Sequence, residues 1–279
     1  MSPAQPEPRP LHHLVEAFAQ SAQAIVELAR TCSNDDLHRP THCPGWTVHD
    51  QISHVVGVEA WLDGRKDPRI EIPAYEHIRS DFGRRVEHAV EVRRSRTGAE
   101  LVAELEDTLT QRLSTLRSPT LTNTSIIAGP RGPDQAEIVM LLRIFDVWTH
   151  EQDIRCALGS PGDLASPAAA ICVSSIMQQL PKRITQGDAL KPGQCLVIDV
   201  TGPLAARQSF QVAFDEEGRL RGHAVSERPP GPSTTTISLS TEAFTRRAAG
   251  RRPVKETAYS VVGDDSTAGR VLEALVVTL

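Results

Sequence analysis

Residues 135 to 158, QAEIVMLLRIFDVWTHEQDIRCAL, are apolar around most of a helix's girth, yet Asp146 and His150 stand in the middle of the run. Asp134 is placed to cap the start of this helix, and Gly159 to end it. A helix that is hydrophobic all round belongs at the centre of a domain, so the rest of the chain must supply neighbours to cover it. Ile138, Val139, Leu141, Leu142, Ile144, Phe145, Val147 and Trp148 crowd around the acid. An unpaired carboxylate buried there would cost several kcal/mol, so something must compensate for Asp146.

The neighbours are legible upstream. Leu11, Leu14, Val15, Phe18, Ala22, Ile25 and Ala29 recur at helical spacing, and the helix they mark stops near Cys32. Thr47 followed by Asp50 makes a capping box with Asp in place of Glu, opening a helix that runs to about Asp63, just before Gly64. YEHIRSDFGRRVEHAVEVRRS reads as a helix broken or bent near Gly83. GAELVAELEDTLTQRLSTLRS places Val102, Leu105, Leu109, Leu113 and Leu116 on one face. Long helices joined by loops predict an antiparallel four-helix bundle over residues 11–162.

The texture changes after GSPGDLAS. One more helix, SPAAAICVSSIMQQLPKRI, precedes four strand-like runs, CLVIDVTG, QSFQVAFD, LRGHAVS and TTTISLS, with a hairpin turn at Asp215 to Gly218. STEAFTRRAAGRR and DSTAGRVLEALVV read as two short helices. Residues 166–279 therefore predict a small unit built on an antiparallel sheet, and the whole chain an α+β protein of two domains.

Composition narrows the partners. A net charge of −5 offers no global basic field for nucleic acid, and aromatics at 4% leave few platforms for stacking single strands. The Pro-rich lead MSPAQPEPRP reads as disordered and has no apolar signal core, and no run approaches membrane-spanning length. The expectation is a cytoplasmic protein without a nucleic-acid or membrane partner. The five cysteines, Cys32, Cys43, Cys156, Cys172 and Cys195, are scattered without a CxxC pair, which argues against disulfides and Cys-type zinc fingers. Cys43 stands beside a helix start, where a thiolate is favoured, but reads as a small apolar residue like the others.

Chemistry concentrates at four positions. Asp146 and His150 stack one turn apart, with Asp153 on nearly the same stripe. His54 shares a face of the second helix with Val58 and Trp61. Two solutions to the buried acid are open: a structural network in which Asp146 orients a histidine, or a divalent metal held by the carboxylate and neutral imidazoles. Bundle cores build metal sites from an acid and a His on one helix plus groups on a facing helix. His54 would then be the third ligand, leaving the open position that catalytic zinc sites keep. His42 and His49 read as loop or solvent-facing residues.

PTHCPGWTVHDQISHVVGVEAWL and FDVWTHEQDIRCALG resemble the DinB-like metal-binding bundles of the mycothiol-dependent maleylpyruvate isomerase family. LSTEAFTRRAAGRR and VVGDDSTAGRVLEAL are similar to the sterol-carrier-like domain that follows the bundle in that family. The resemblance implies that His54, Asp146 and His150 hold a divalent metal, usually zinc, and that Asp153 matches a family acid one turn after the second His. The family's best-known member carries Glu where this chain has Asp146. Residues 77–83, HIRSDFG, resemble a family segment without an assigned role, and Gly250-Arg251 matches a Gly-Arg turn implied to hold an anionic substrate.

The resemblance further implies mycothiol, the low-molecular-weight thiol of actinobacteria, as cosubstrate. A free thiol with a pKa of ~8.5 is mostly protonated at neutral pH, and metal binding makes it the reactive thiolate. Attack on an electrophilic small molecule then predicts a thiol S-transferase if the adduct is released. It predicts a cis–trans isomerase if the adduct rotates and expels the thiol. A non-catalytic binder of a small lipid or metabolite, and metal-assisted hydrolysis, are the competing readings.

Overall fold

A computed structural model describes residues 9–185, 189–225 and 233–278. The lead-in expected at residues 1–10 lies, through residue 8, outside the described residues, as does Ser226 at the end of the third strand-like run. The chain divides into two compact units, Arg9–Gly162 and the residues from Asp163 onward. Among the described residues no helix is long and apolar enough to cross a membrane.

The first unit is a helical bundle. α1 (Leu11–Thr31) buries Leu14, Phe18, Ala22 and Ile25, the stripe its periodicity marks. A short α2 (Asn34–Leu37) follows, and then α3 (Val48–Leu62), opened by a reciprocal capping box between Thr47 and Asp50. α4 (Asp81–Glu91) packs on α3, and α5 (Gly98–Leu116) lies against both α1 and α3. α6 (Ala136–Leu158) runs between α1 and α3 and ends at Gly159, whose φ of +65° is the left-handed stop that glycine tolerates.

Four local expectations are corrected. Asp134 does not cap α6: it belongs to β2 (Asp134–Gln135), which pairs with β1 (Ile126–Ile127). The first amides of α6 find loop carbonyls instead, Ala136 N–H donating to Ser125 O at 2.8 Å and Glu137 N–H to Asn123 O at 3.1 Å. Gly83 is no break, because α4 begins only at Asp81 and the Ser80 hydroxyl accepts from Gly83 N–H at 3.0 Å. The buried face of α5 turns on Leu101, Leu105, Leu109 and Leu116, with Val102 and Leu113 half-buried. α6 is not covered all round: Ile138 and Leu142, one turn apart, are 41% and 39% exposed.

The second unit opens with α7 (Pro167–Arg183), capped by the Ser166 hydroxyl. Its sheet contains β3 (Cys195–Thr201), β4 (Ala206–Phe214), β5 (Leu220–Val225), β6 (Thr234–Ser240) and β7 (Ser260–Val262), in the order β5-β4-β3-β6-β7. β7, too short to signal itself in the sequence, joins the edge. All neighbours are antiparallel except the central pair, where β3 runs parallel to β6 with Cys195 opposite Thr234. This explains the near-continuous apolar run CLVIDV, interrupted only by the half-buried Asp199: a central strand covered on both faces does not alternate. α8 (Thr241–Ala248) and α9 (Asp265–Ala274) complete the unit, with Phe244 and Leu272 buried in its core.

Candidate metal centre

The Thr47 cap sets where α3 begins, and with it the height of His54 along the bundle. α3 and α6 pack so that His54 faces Asp146, with Nε2 3.0 Å from Oδ2. His150, one turn further along α6, brings its own Nε2 to 3.5 Å from Asp146 Oδ1. One ligand atom from each of His54, Asp146 and His150 lies within 4.8 Å of the other two. Atoms bound at 2.0–2.1 Å to a tetrahedral zinc lie about 3.3 Å apart, so these two spacings bracket what an ion between them requires. Two imidazole nitrogens and a carboxylate oxygen are also a donor set that zinc accepts. The imidazoles are buried, whereas 32% of the Asp146 side chain is accessible, which leaves the centre a way in.

Charge is arranged to keep these groups ready to bind. Packing around Asp146 raises its pKa, but the Arg143 guanidinium, His54 and His150 outweigh this and hold the carboxyl well below its usual range. Burial pushes His54 down to about 4, with the Asp146 charge only partly offsetting it. His54 is therefore neutral at physiological pH, the form a metal needs. Its Nδ1 is buried and has no hydrogen-bond partner among the described residues.

A network that the sequence did not announce supports the acid. Arg143, three residues before Asp146, donates through Nη1 to Oδ2 at 2.9 Å and through Nε to Glu59 at 2.7 Å. Glu59 is fully buried and also accepts from Arg112 Nε on α5 at 3.1 Å. The signal was present: Glu59 interrupts the apolar run VVGVEAWL just as Asp146 interrupts its own. Unpaired, it would be equally costly.

The PTHCPGW loop closes a third side. The Trp46 ring lies 5.1 Å from the His54 ring and 5.8 Å from that of His150. Its indole N–H donates to the buried Glu87 at 2.9 Å; Glu87 also meets His77 at 2.8 Å and Arg94 at 2.6 Å. This gives the segment 77–83 a contact with the wall of the site through His77. Gly45 has φ +79°, and a Cβ there would run into the His77 imidazole.

The other candidates are placed less centrally. Asp153 is buried, with Oδ2 3.9 Å from His150 Nδ1, beyond hydrogen-bonding reach. Trp61 is 48% exposed and does not share the burial of His54. His49 is buried rather than solvent-facing, its Nε2 3.0 Å from Arg96 O, while His42 is exposed on its loop. Cys43 is half-buried and its amide donates to Thr41 Oγ1 at 3.2 Å. Arg251 lies in the second unit, after Gly250 with φ +69°, and donates to Ala249 O at 3.1 Å.

The family model described as Mycothiol maleylpyruvate isomerase N-terminal domain matches residues 7–155. The chain belongs to that family. For this member of the mycothiol maleylpyruvate isomerase family, the matched segment takes in His54, Asp146, His150 and Asp153, while Arg251 lies beyond it. A crystal structure of a mycothiol-dependent maleylpyruvate isomerase is similar over 90% of this chain and 93% of its own, with a TM-score of 0.54 and 17% identity. A second, described as a single His-to-Ala mutant of that enzyme, is similar over the same shares with a TM-score of 0.53 and 16% identity. At these identities the likeness is one of fold, and it extends beyond the bundle. A comparison with curated proteins gave no match.

Proposed function

We propose that this family member is a mycothiol-dependent thiol S-transferase with a divalent metal, zinc in the first place, held by His54, Asp146 and His150. The observation that carries the reading is the convergence of two imidazole Nε2 atoms on the two oxygens of one ionised carboxylate. A divalent cation there would lower the pKa of a coordinating thiol and so supply thiolate at neutral pH.

The protein's own groups have defined tasks. Arg143, tethered by Glu59, keeps Asp146 ionised and in place. Burial keeps His54 uncharged. We assign Asp153 to relaying a proton beside His150 or to binding the amine or sugar part of the thiol, and Arg251 to holding an anionic group of the substrate. The thiolate sulfur bonds to an electrophilic carbon. In transfer, a leaving group departs with its electron pair. A second reading, isomerisation of the maleylpyruvate type, is favoured by the family description. There the added sulfur turns a double bond into a single bond, rotation follows, and the thiolate is expelled. We place the protein in the cytoplasm, a reducing compartment that suits thiols such as Cys32, Cys156 and Cys195.

Metal analysis of the purified protein, followed by turnover of chlorodinitrobenzene and of maleylpyruvate with and without mycothiol, tests the reading. Bound metal and thiol-dependent conjugation are expected. Maleylpyruvate turnover alone would replace transfer with isomerisation. Activity without any thiol would point to hydrolysis, and metal-free, inactive protein would leave a binding role.

A further inference from the structure

Thr41 on the loop and Gln51 on α3 make no hydrogen bond to the carboxylate at the centre among the described residues, yet they determine which nitrogen of His150 carries its proton. The Thr41 hydroxyl has one hydrogen, and it donates to Trp46 O at 2.8 Å. Thr41 Oγ1 must then accept from Gln51, whose Nε2 stands 2.7 Å away. That fixes the amide of Gln51 with its Nε2 toward Thr41 and its Oε1 toward His150 Nδ1, with which it is hydrogen-bonded. An amide oxygen can only accept, so Nδ1 holds the hydrogen. In a neutral imidazole Nε2 is then a bare lone pair, and it is aimed at Asp146 Oδ1 3.5 Å away. A lone pair facing a carboxylate oxygen is an arrangement that a shared cation relieves.

We infer that Gln51, oriented by Thr41, is a positioning residue that presets His150 as an Nε2 donor. This accounts for why the loop PTHCPGW leads directly into α3: the loop's hydroxyl sets an amide on the first turns of the helix, and the amide sets a ligand on α6. His54 has no such partner, since its Nδ1 is unpaired among the described residues. His150 is thus the prepared ligand and His54 the adaptable one. Partners of this kind typically contribute 10–100-fold to metal affinity.

The affinity arm of the test rests on the metal reading; the tautomer arm does not. Long-range proton–nitrogen correlation on the metal-free protein above pH 7 is expected to show His150 as the Nδ1–H form. In Thr41→Val and Gln51→Leu a mixture of tautomers is expected. Zinc affinity by chelator competition should fall about 10–100-fold in Gln51→Leu. It should fall less in Thr41→Val and stay at the wild-type value in Thr41→Ser and Gln51→Glu, which keep a hydroxyl and an acceptor respectively. A role confined to packing would lower thermal stability without moving the nitrogen shifts. An Nε2–H tautomer in the wild type overturns the inference, as does a Gln51→Leu variant that binds zinc within twofold of the wild type. Should the wild type bind no zinc, the proposed function falls while the nitrogen spectrum still decides the relay.

Discussion

His54 is a base placed where its charged form is penalised, and this makes stability depend on pH. Its pKa, about 4 in the fold, lies below the ordinary 6.5, so the unfolded chain binds the proton more readily. The contribution is complete above pH 6.5 and is lost as pH falls toward 4. By pH 5 the metal-free protein should have lost about 2 kcal/mol from this residue. Urea unfolding of metal-free protein between pH 7.5 and 5 measures it, and His54→Gln should flatten the profile. Asp146, held below its ordinary value, adds a loss only at still lower pH. Arg143→Leu leaves Glu59 with one partner and removes the cation beside Asp146, and should cost about 3 kcal/mol in the same measurement. Arg143→Lys should recover part of that. At this scale the sequence showed the acid and the two histidines but not the groups that surround them. Asp146 and His150 are joined by helical spacing, whereas Glu59 meets Arg143 only because α3 and α6 are packed together.

The elements themselves were readable where their ends are set locally. The boxes of Thr47 with Asp50 and Thr97 with Glu100 satisfy orphan amides within a few residues, so the starts of α3 and α5 are written in short stretches of chain. Thr47→Ala is expected to cost about 1 kcal/mol in thermal or urea unfolding. It should weaken zinc binding modestly by loosening the first turns that carry Gln51 and His54. α6 starts differently: its amides are satisfied by Ser125 and Asn123, partners brought in by the β1–β2 ladder, which is why Asp134 misleads as a cap. In the second unit the parallel pairing of β3 with β6 was equally hidden, since an apolar run does not say which strand will lie beside it or in which direction. Gly222 on β5 marks a contact between elements, because a Cβ there would meet the backbone of Pro181 on α7. Gly222→Ala should therefore lower the stability of that unit by more than a propensity change explains, as read by hydrogen exchange of the sheet.

For the molecule as a whole, a ligand that binds only the folded bundle must stabilise it. Zinc at a hundred times its dissociation constant should raise the unfolding free energy by about 2.7 kcal/mol. His150→Ala should abolish this increment and the bound metal while leaving helical content nearly intact. Arg251→Ala is expected to raise KM for an anionic electrophile with zinc binding unchanged; an unchanged KM would remove Arg251 from the reaction. By itself the sequence determined the bundle followed by a sheet-containing unit, the helices and their caps, and the acid–His pair with its facing His. Those features depend on periodicity and on bonds between near neighbours, which any short stretch carries with it. Tertiary structure alone decided which charges share the interior, which strand lies parallel to which, and which atom of His150 faces Asp146. Each of these is a contact between segments far apart in the chain, and a contact exists only once both segments have been folded into place.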